Sequence, residues 1–194
     1  MGTLALVAVL MLGPADAALA AQPVHSVALP PVAVSLQTTG PITIDGDPDE
    51  AAWQAALPYS ALTISASDRL ASNQTVFRML HDGEALYVGV RCWEENMQGL
   101  RAKVTDRDGP VWEDDDLEVF LDVAHDHENF YQLATNARGA RFDGKTGAST
   151  WDGDWDVAGS IGPDSWSVEL RVPFATLGVE PPTVGTLWGM NLCR

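Results

Sequence analysis

The dominant pattern along the chain is alternation of apolar and polar residues, the period of a half-buried β-strand. Ala85 to Trp93 alternates, with Leu86, Val88, Val90 and Cys92 on one face and Tyr87, Arg91 and Trp93 on the other. Leu117 to Asp122 repeats the pattern, with Leu117, Val119 and Leu121 opposite Glu118, Phe120 and Asp122. Further strands are predicted at Ile42–Ile44, Thr75–Leu80, Phe130–Asn136, Gly139–Asp143, Trp155–Ile161, Ser165–Val172 and Leu187–Arg194. Asp82-Gly83 and Gly162-Pro163-Asp164 read as hairpin turns. Two short helical pieces are expected. One starts at Asp47, a candidate cap, with Pro48 in the first turn and Glu50 three residues after the cap; it ends before Pro58. The other is a single turn over Pro173–Leu177, closed by Gly178. Many short strands, regular turns and no long amphipathic helix predict an all-β antiparallel sandwich with one or two short helices.

The first forty residues read differently. An apolar run from Leu4 to Leu12 is too short for a membrane span, which needs roughly 20 residues. Ala18-Leu19-Ala20 supplies a small-x-small cleavage site, so residues 1–20 read as a signal peptide and the protein as secreted or periplasmic. Residues 21–40, rich in Ala, Val and Pro, read as a linker. The sandwich is expected over 41–194. Its last alternating run breaks off at Leu192-Cys193-Arg194, so closing strands and further domains of the same protein are expected beyond it.

Composition narrows the partners. The chain holds 194 residues with 27 Asp+Glu against 11 Lys+Arg, a formal charge of −16. That charge opposes nucleic acid, which needs clustered Lys and Arg, and anionic membrane surfaces. Seven Trp in so short a chain point to packing or ligand faces. The acids concentrate in two Trp-containing stretches, Trp112–Glu118 and Trp151–Asp156. An aromatic ring beside carboxylates suits a sugar: the C–H face stacks on the ring and hydroxyls donate to the acids. Oxygen-rich clusters also suit Ca²⁺, although the second stretch lacks the downstream Glu of an EF-hand. Trp53 and Trp166 fall on apolar stripes and are expected in the core. His25, His81, His125 and His127 show no metal spacing, and His125 and His127 read as solvated. Cys92 and Cys193 face an oxidising compartment after export, which permits a disulfide. Strand parity places the two thiols on opposite sides if both apolar faces share one core, which leaves the pairing open. No nucleophile elbow or Ser/His/Asp order is present, so no catalytic residue is assigned.

Several pieces in order resemble one family. They are Ile44-Asp45-Gly46 with Asp49-Glu50 and Trp53; Leu86-Tyr87-Val88 with Val90; Trp112-Glu113-x-Asp115-x-Leu117 to Asp122; Tyr131-Gln132 with Asn136; and Trp166-x-Val168-Glu169, Pro173-Phe174, Leu177-Gly178 and Trp188-Gly189-x-Asn191. Over 41–194 the chain is similar to family 9 carbohydrate-binding modules and their DOMON-like, jelly-roll relatives. The resemblance implies a non-catalytic module with structural Ca²⁺, attached to a protein of carbohydrate catabolism. It matches Trp112 to one of two sugar-stacking Trp rings, Glu118 to a carboxylate that binds hydroxyls and Asn136 to an amide of the same site. Gln132 and Asn191 stand in the matched pieces and join the predicted carbohydrate-binding set. Ala134 stands where the family carries Arg, and the second stacking Trp would lie past Arg194. Two alternatives stay open: a haem-binding redox domain of the same superfamily, using Met79, Met97 or His81 as axial ligands, and part of a glycoside hydrolase acting through carboxylates.

Overall fold

The computed structural model describes residues 32–194, except Thr39, Asp68, Gly147 and Ser149. The stretch read as a signal peptide and most of the segment read as linker lie outside the described residues.

Among the described residues nine strands form two sheets. They are β1 (Leu36–Gln37), β2 (Thr75–His81), β3 (Ala85–Trp93), β4 (Asp116–Asp122), β5 (Tyr131–Asn136), β6 (Arg141–Lys145), β7 (Asp156–Ile161), β8 (Ser165–Pro173) and β9 (Gly189–Cys193). The first sheet runs β1-β2-β3-β8-β7 and the second β6-β5-β4-β9. Every pairing between named strands is antiparallel except β1 with β2. The two sheets enclose one core. β3 contributes Val88, Val90 and Cys92; β8 contributes Trp166, Val168, Leu170 and Val172; β4 and β5 answer with Leu117, Val119, Leu121, Tyr131 and Leu133. These are the alternating positions that the period-two pattern assigns to one face. The fold is a β-sandwich. Among the described residues no helix is long and apolar enough to cross a membrane.

The outer face of the first sheet is covered. Helix α1 (Ala51–Ala55) lays Trp53, fully buried, across β3. Gly89 makes room for it: a Cβ there would come within 3.1 Å of the indole ring. Glu169 on β8 holds the covering segment down. It is fully buried, and it accepts hydrogen bonds from Trp53 Nε1 (2.9 Å), Asp45 N (3.1 Å) and Gly46 N (2.9 Å). Burial pushes this carboxyl up to about 7, against three donors that favour the ionised form. Gly46 also crosses Gly159 of β7 so closely that a Cβ on Gly46 would sit 2.6 Å from the Gly159 backbone.

Four local expectations are corrected. The sheet begins inside the segment read as linker, because Leu36 packs beside the Trp53 cluster and pairs with Leu80. Ile42–Ile44 is not a strand; Ile42 and Ile44 instead pack on that cluster from an irregular segment. The helix starts at Ala51 with Glu50 as its N-cap, and Asp47 binds Arg91 at 2.5 Å rather than capping. The expected helical turn at Pro173–Leu177 is a run of turns that ends at Gly178, φ 68°.

Candidate carbohydrate-binding face

The second sheet presents its outer face differently. Strand parity turns Glu118 and Phe120 of β4, Gln132 and Ala134 of β5, Phe142 and Gly144 of β6, and Asn191 and Cys193 of β9 outward. The register sets them in two rows. Phe142, Ala134, Glu118 and Cys193 lie side by side, and so do Gly144, Gln132, Phe120 and Asn191. Gln132 Nε2 donates to Glu118 Oε2 at 2.5 Å across the diagonal. Phe120 packs edge-on against Phe130, with centroids 5.7 Å apart.

Trp112 enters this face from a 3₁₀ turn at Val111–Glu113. Val111 anchors the turn, fully buried with Ala134, Ala140 and Phe142. The Trp112 ring rests edge-on against Phe142 at 5.1 Å and stays 54% exposed. An indole this exposed offers aromatic surface to a ligand.

The acidic stretch that precedes β4 is mostly structural. Asp114 accepts from Lys103 N, Val104 N and Asn136 Nδ2, and Asp115 accepts from Arg101 N. Asn136 is fully buried. Its amide donates to Val104 O and Asp114, and its oxygen accepts from Arg138 N and Ala140 N. That saturates the side chain. Asn136 therefore fixes the loop that carries Trp112 and presents nothing to a ligand. Trp112, Glu118, Gln132 and Asn191 share the open face; Asn136 lies beneath it.

Sequence reasoning missed two members. Asp116 is on the same side of β4 as Glu118, and its Oδ2 is buried without a hydrogen-bond partner. Burial, then the neighbouring Glu118, pushes its carboxyl up to about 6. Parity alone could have found it. Phe142 was hidden because its place depends on the β5–β6 register.

Other expectations meet different surroundings. Cys92 is buried in the core and Cys193 lies on the outer face, and both thiols are free. Burial pushes the Cys92 thiol up to about 11, and burial with the nearby Glu118 raises Cys193. For Ca²⁺, which takes six to eight oxygens, the two acidic stretches do not fit. Asp114 and Asp115 are bound to backbone N–H groups, and Asp152 is bound to Arg107. Among the described residues no three acids from either stretch bring their oxygens together. Met79 is packed in the core and His81 is bonded to Ser35 Oγ at 3.0 Å, so they do not face each other as axial ligands. A depression of about 500 Å³ lined by Ile44, Arg107, Arg141 and Asp156 includes neither Trp112 nor Glu118. Arg107 there is paired with Asp143 and Asp152, and Arg141 with Trp155 O.

A two-sheet sandwich with one covered face and one open aromatic and carboxylate face defines a class of binding module. A family model described as "Carbohydrate family 9 binding domain-like" matches residues 44–193. The chain belongs to this family. Three solved structures share the fold. Family 9 carbohydrate-binding modules from Caldicellulosiruptor kristjanssonii, in complex with cellotriose and with glucose, are 20% and 19% identical, each with a TM-score of 0.59. These matches cover 81% of this chain, and 74% and 75% of theirs. A protein from Bacteroides uniformis is 16% identical with a TM-score of 0.62, over 83% of this chain and 81% of its own. A search of curated proteins finds no match.

Proposed function

We propose that this chain is a non-catalytic carbohydrate-binding module that holds a sugar on the open face of the β6-β5-β4-β9 sheet. The carrying observation is the half-exposed Trp112 ring on the same face as the Glu118–Gln132 pair. The pyranose C–H face stacks on Trp112. Glu118 accepts from hydroxyls, Gln132 both donates and accepts, and Asn191 lies within the same row as Gln132. The unpartnered oxygen of Asp116 is a further acceptor for a hydroxyl that reaches it. Asn136 acts through the loop, as a positioning residue.

Neighbours whose structures hold cellotriose and glucose support glucose and β-linked gluco-oligosaccharides as the substrate class of this reading. The Leu4–Leu12 run and the Ala18-Leu19-Ala20 site support export, and a secreted module of this kind serves a longer protein of carbohydrate breakdown. Calorimetric titration of the chain with glucose and cello-oligosaccharides tests the reading. Saturable binding that W112A weakens is expected. No binding to any glucan, xylan or short oligosaccharide would overturn it.

A further inference from the structure

The loop after β4 gathers three groups that the sugar-binding reading does not use. We propose that Asp122, His125 and His127 form a binding site for a first-row transition-metal dication, Zn²⁺ foremost.

The argument starts with Asp122. It is 8% exposed at the end of β4, and no Lys or Arg pairs with it among the described residues. A buried carboxylate without a counter-ion is costly unless it is paired or ligates a metal. Among the described residues its carboxylate accepts from two backbone groups alone, Asp126 N at 3.2 Å and His127 N at 2.8 Å, so lone pairs remain on both oxygens. Gly189 allows this placement, since a Cβ there would crowd Asp122 Oδ2 at 3.2 Å.

The two histidines complete the set. Both stand in the left-handed backbone region, His125 at φ 52° and His127 at φ 61°, a strain that non-glycine residues rarely bear. The consequence is convergence. The rings meet edge to face at 4.8 Å, and His127 Nδ1 lies 4.0 Å from Asp122 Oδ2. One ligand atom from each of the three residues lies within 4.8 Å of the others. Neither ring nitrogen pair has a hydrogen-bond partner among the described residues, whereas His81 is bonded to Ser35. Two imidazoles and one carboxylate select Zn²⁺, Ni²⁺ or Cu²⁺ over Ca²⁺, whose ligands are oxygens. Three protein ligands leave a coordination position for water. The acidic chain raises the local concentration of cations.

Asp122 is four residues beyond Glu118 on β4, or roughly 13 Å along the strand. The site is therefore separable from the sugar face, and the proposal stands whether or not a sugar binds there. The test is calorimetric titration of the full chain, free of any histidine tag, with ZnCl₂ and separately with CaCl₂. One Zn²⁺ per chain is expected. H125A and H127A should each weaken it roughly tenfold or more, with unchanged circular dichroism because both side chains are exposed. Co²⁺ should give a visible absorption band that the H125A/H127A double variant loses. Zn²⁺ binding that persists in the double variant, or that disappears only in H25A or H81A, would overturn the proposal. So would the absence of saturable Zn²⁺ binding, or Ca²⁺ displacing Zn²⁺ at equal concentration.

Discussion

Replacing Trp112 with alanine probes the sugar face most directly. The ring is 54% exposed, and a Trp side chain of about 250 Å² therefore presents roughly 130 Å² to solvent. A pyranose stacked on one face covers about half of that. At about 25 cal/mol per Å², the covered area is worth about 1.6 kcal/mol, or a roughly fifteenfold change in affinity. Folding should suffer little. The lost structural contact is one edge-on packing against Phe142, worth about 0.5–1.5 kcal/mol, while buried Val111 still anchors the turn. Calorimetric titration with cellotriose, beside a urea unfolding curve, separates the two quantities. W112F should fall between the parent and W112A. Affinity within twofold of the parent in W112A would refute the stacking argument. So would a loss of binding that merely tracks a loss of folded protein.

Three further measurements probe the rest of the molecule. E169A strips the acceptor from Trp53 Nε1, Asp45 N and Gly46 N, three donors aimed at a buried carboxylate. It should cost about 3–5 kcal/mol in urea unfolding and speed hydrogen exchange of the Trp53 indole N–H; an unchanged midpoint would show that the segment is held by packing alone. Asp116 is raised from 3.8 to about 6 by burial and by Glu118, so the folded state binds the proton more tightly than the unfolded one. Stability is then lost as pH rises through that window, and D116N should add about 1 kcal/mol at pH 7, discounted for partial exposure, and nothing near pH 3. A D116N gain that is equal at both pH values would assign the effect to something other than charge. Under non-reducing conditions, Ellman's reagent should find two thiols per chain after denaturation and a much slower reaction in the native state, since Cys92 is buried and Cys193 half-buried. Zero thiols in the denatured chain would mean a disulfide.

The strands were legible because each carries its own evidence. β3 is predicted at its observed bounds, Ala85–Trp93, since nine residues alternate without interruption. Glu118 was legible for the same reason, since parity against Val119 sends it outward, whereas Gln132 was reached through its place in a piece that resembles the family. What escaped depends on partners far along the chain. Asp47 looks like a helix cap until Arg91, 44 residues away, takes its carboxylate. Asn136 looks like a ligand until Val104 and Asp114 consume its amide. The convergence of His125 and His127 on Asp122 depends on two positive φ angles, which no hydrophobic period encodes. Local pattern thus fixes which face a residue takes, and contacts across tens of residues decide whether it is free to act there.

That distinction explains why one sandwich has a binding face on only one side. The two outer faces begin alike, each a row of polar side chains interrupted by small residues. On the first sheet, Gly89 and the covering segment's own Gly46 admit a second layer of chain, and Glu169 receives its donors from backbone and indole N–H groups within the protein. Its acceptor capacity is spent on folding. On the second sheet, Ala134 and Gly144 are also small, yet among the described residues no segment covers the Glu118–Gln132 pair, and both side chains stay partly exposed. Glu118 Oε2 takes one internal donor and the Asp116 oxygen takes none. Acceptors left unspent beside an indole face are what a polyhydroxylated ring supplies with donors. The acidity that opposes nucleic acid thus has two separate uses here, internal clamps on one sheet and free acceptors on the other.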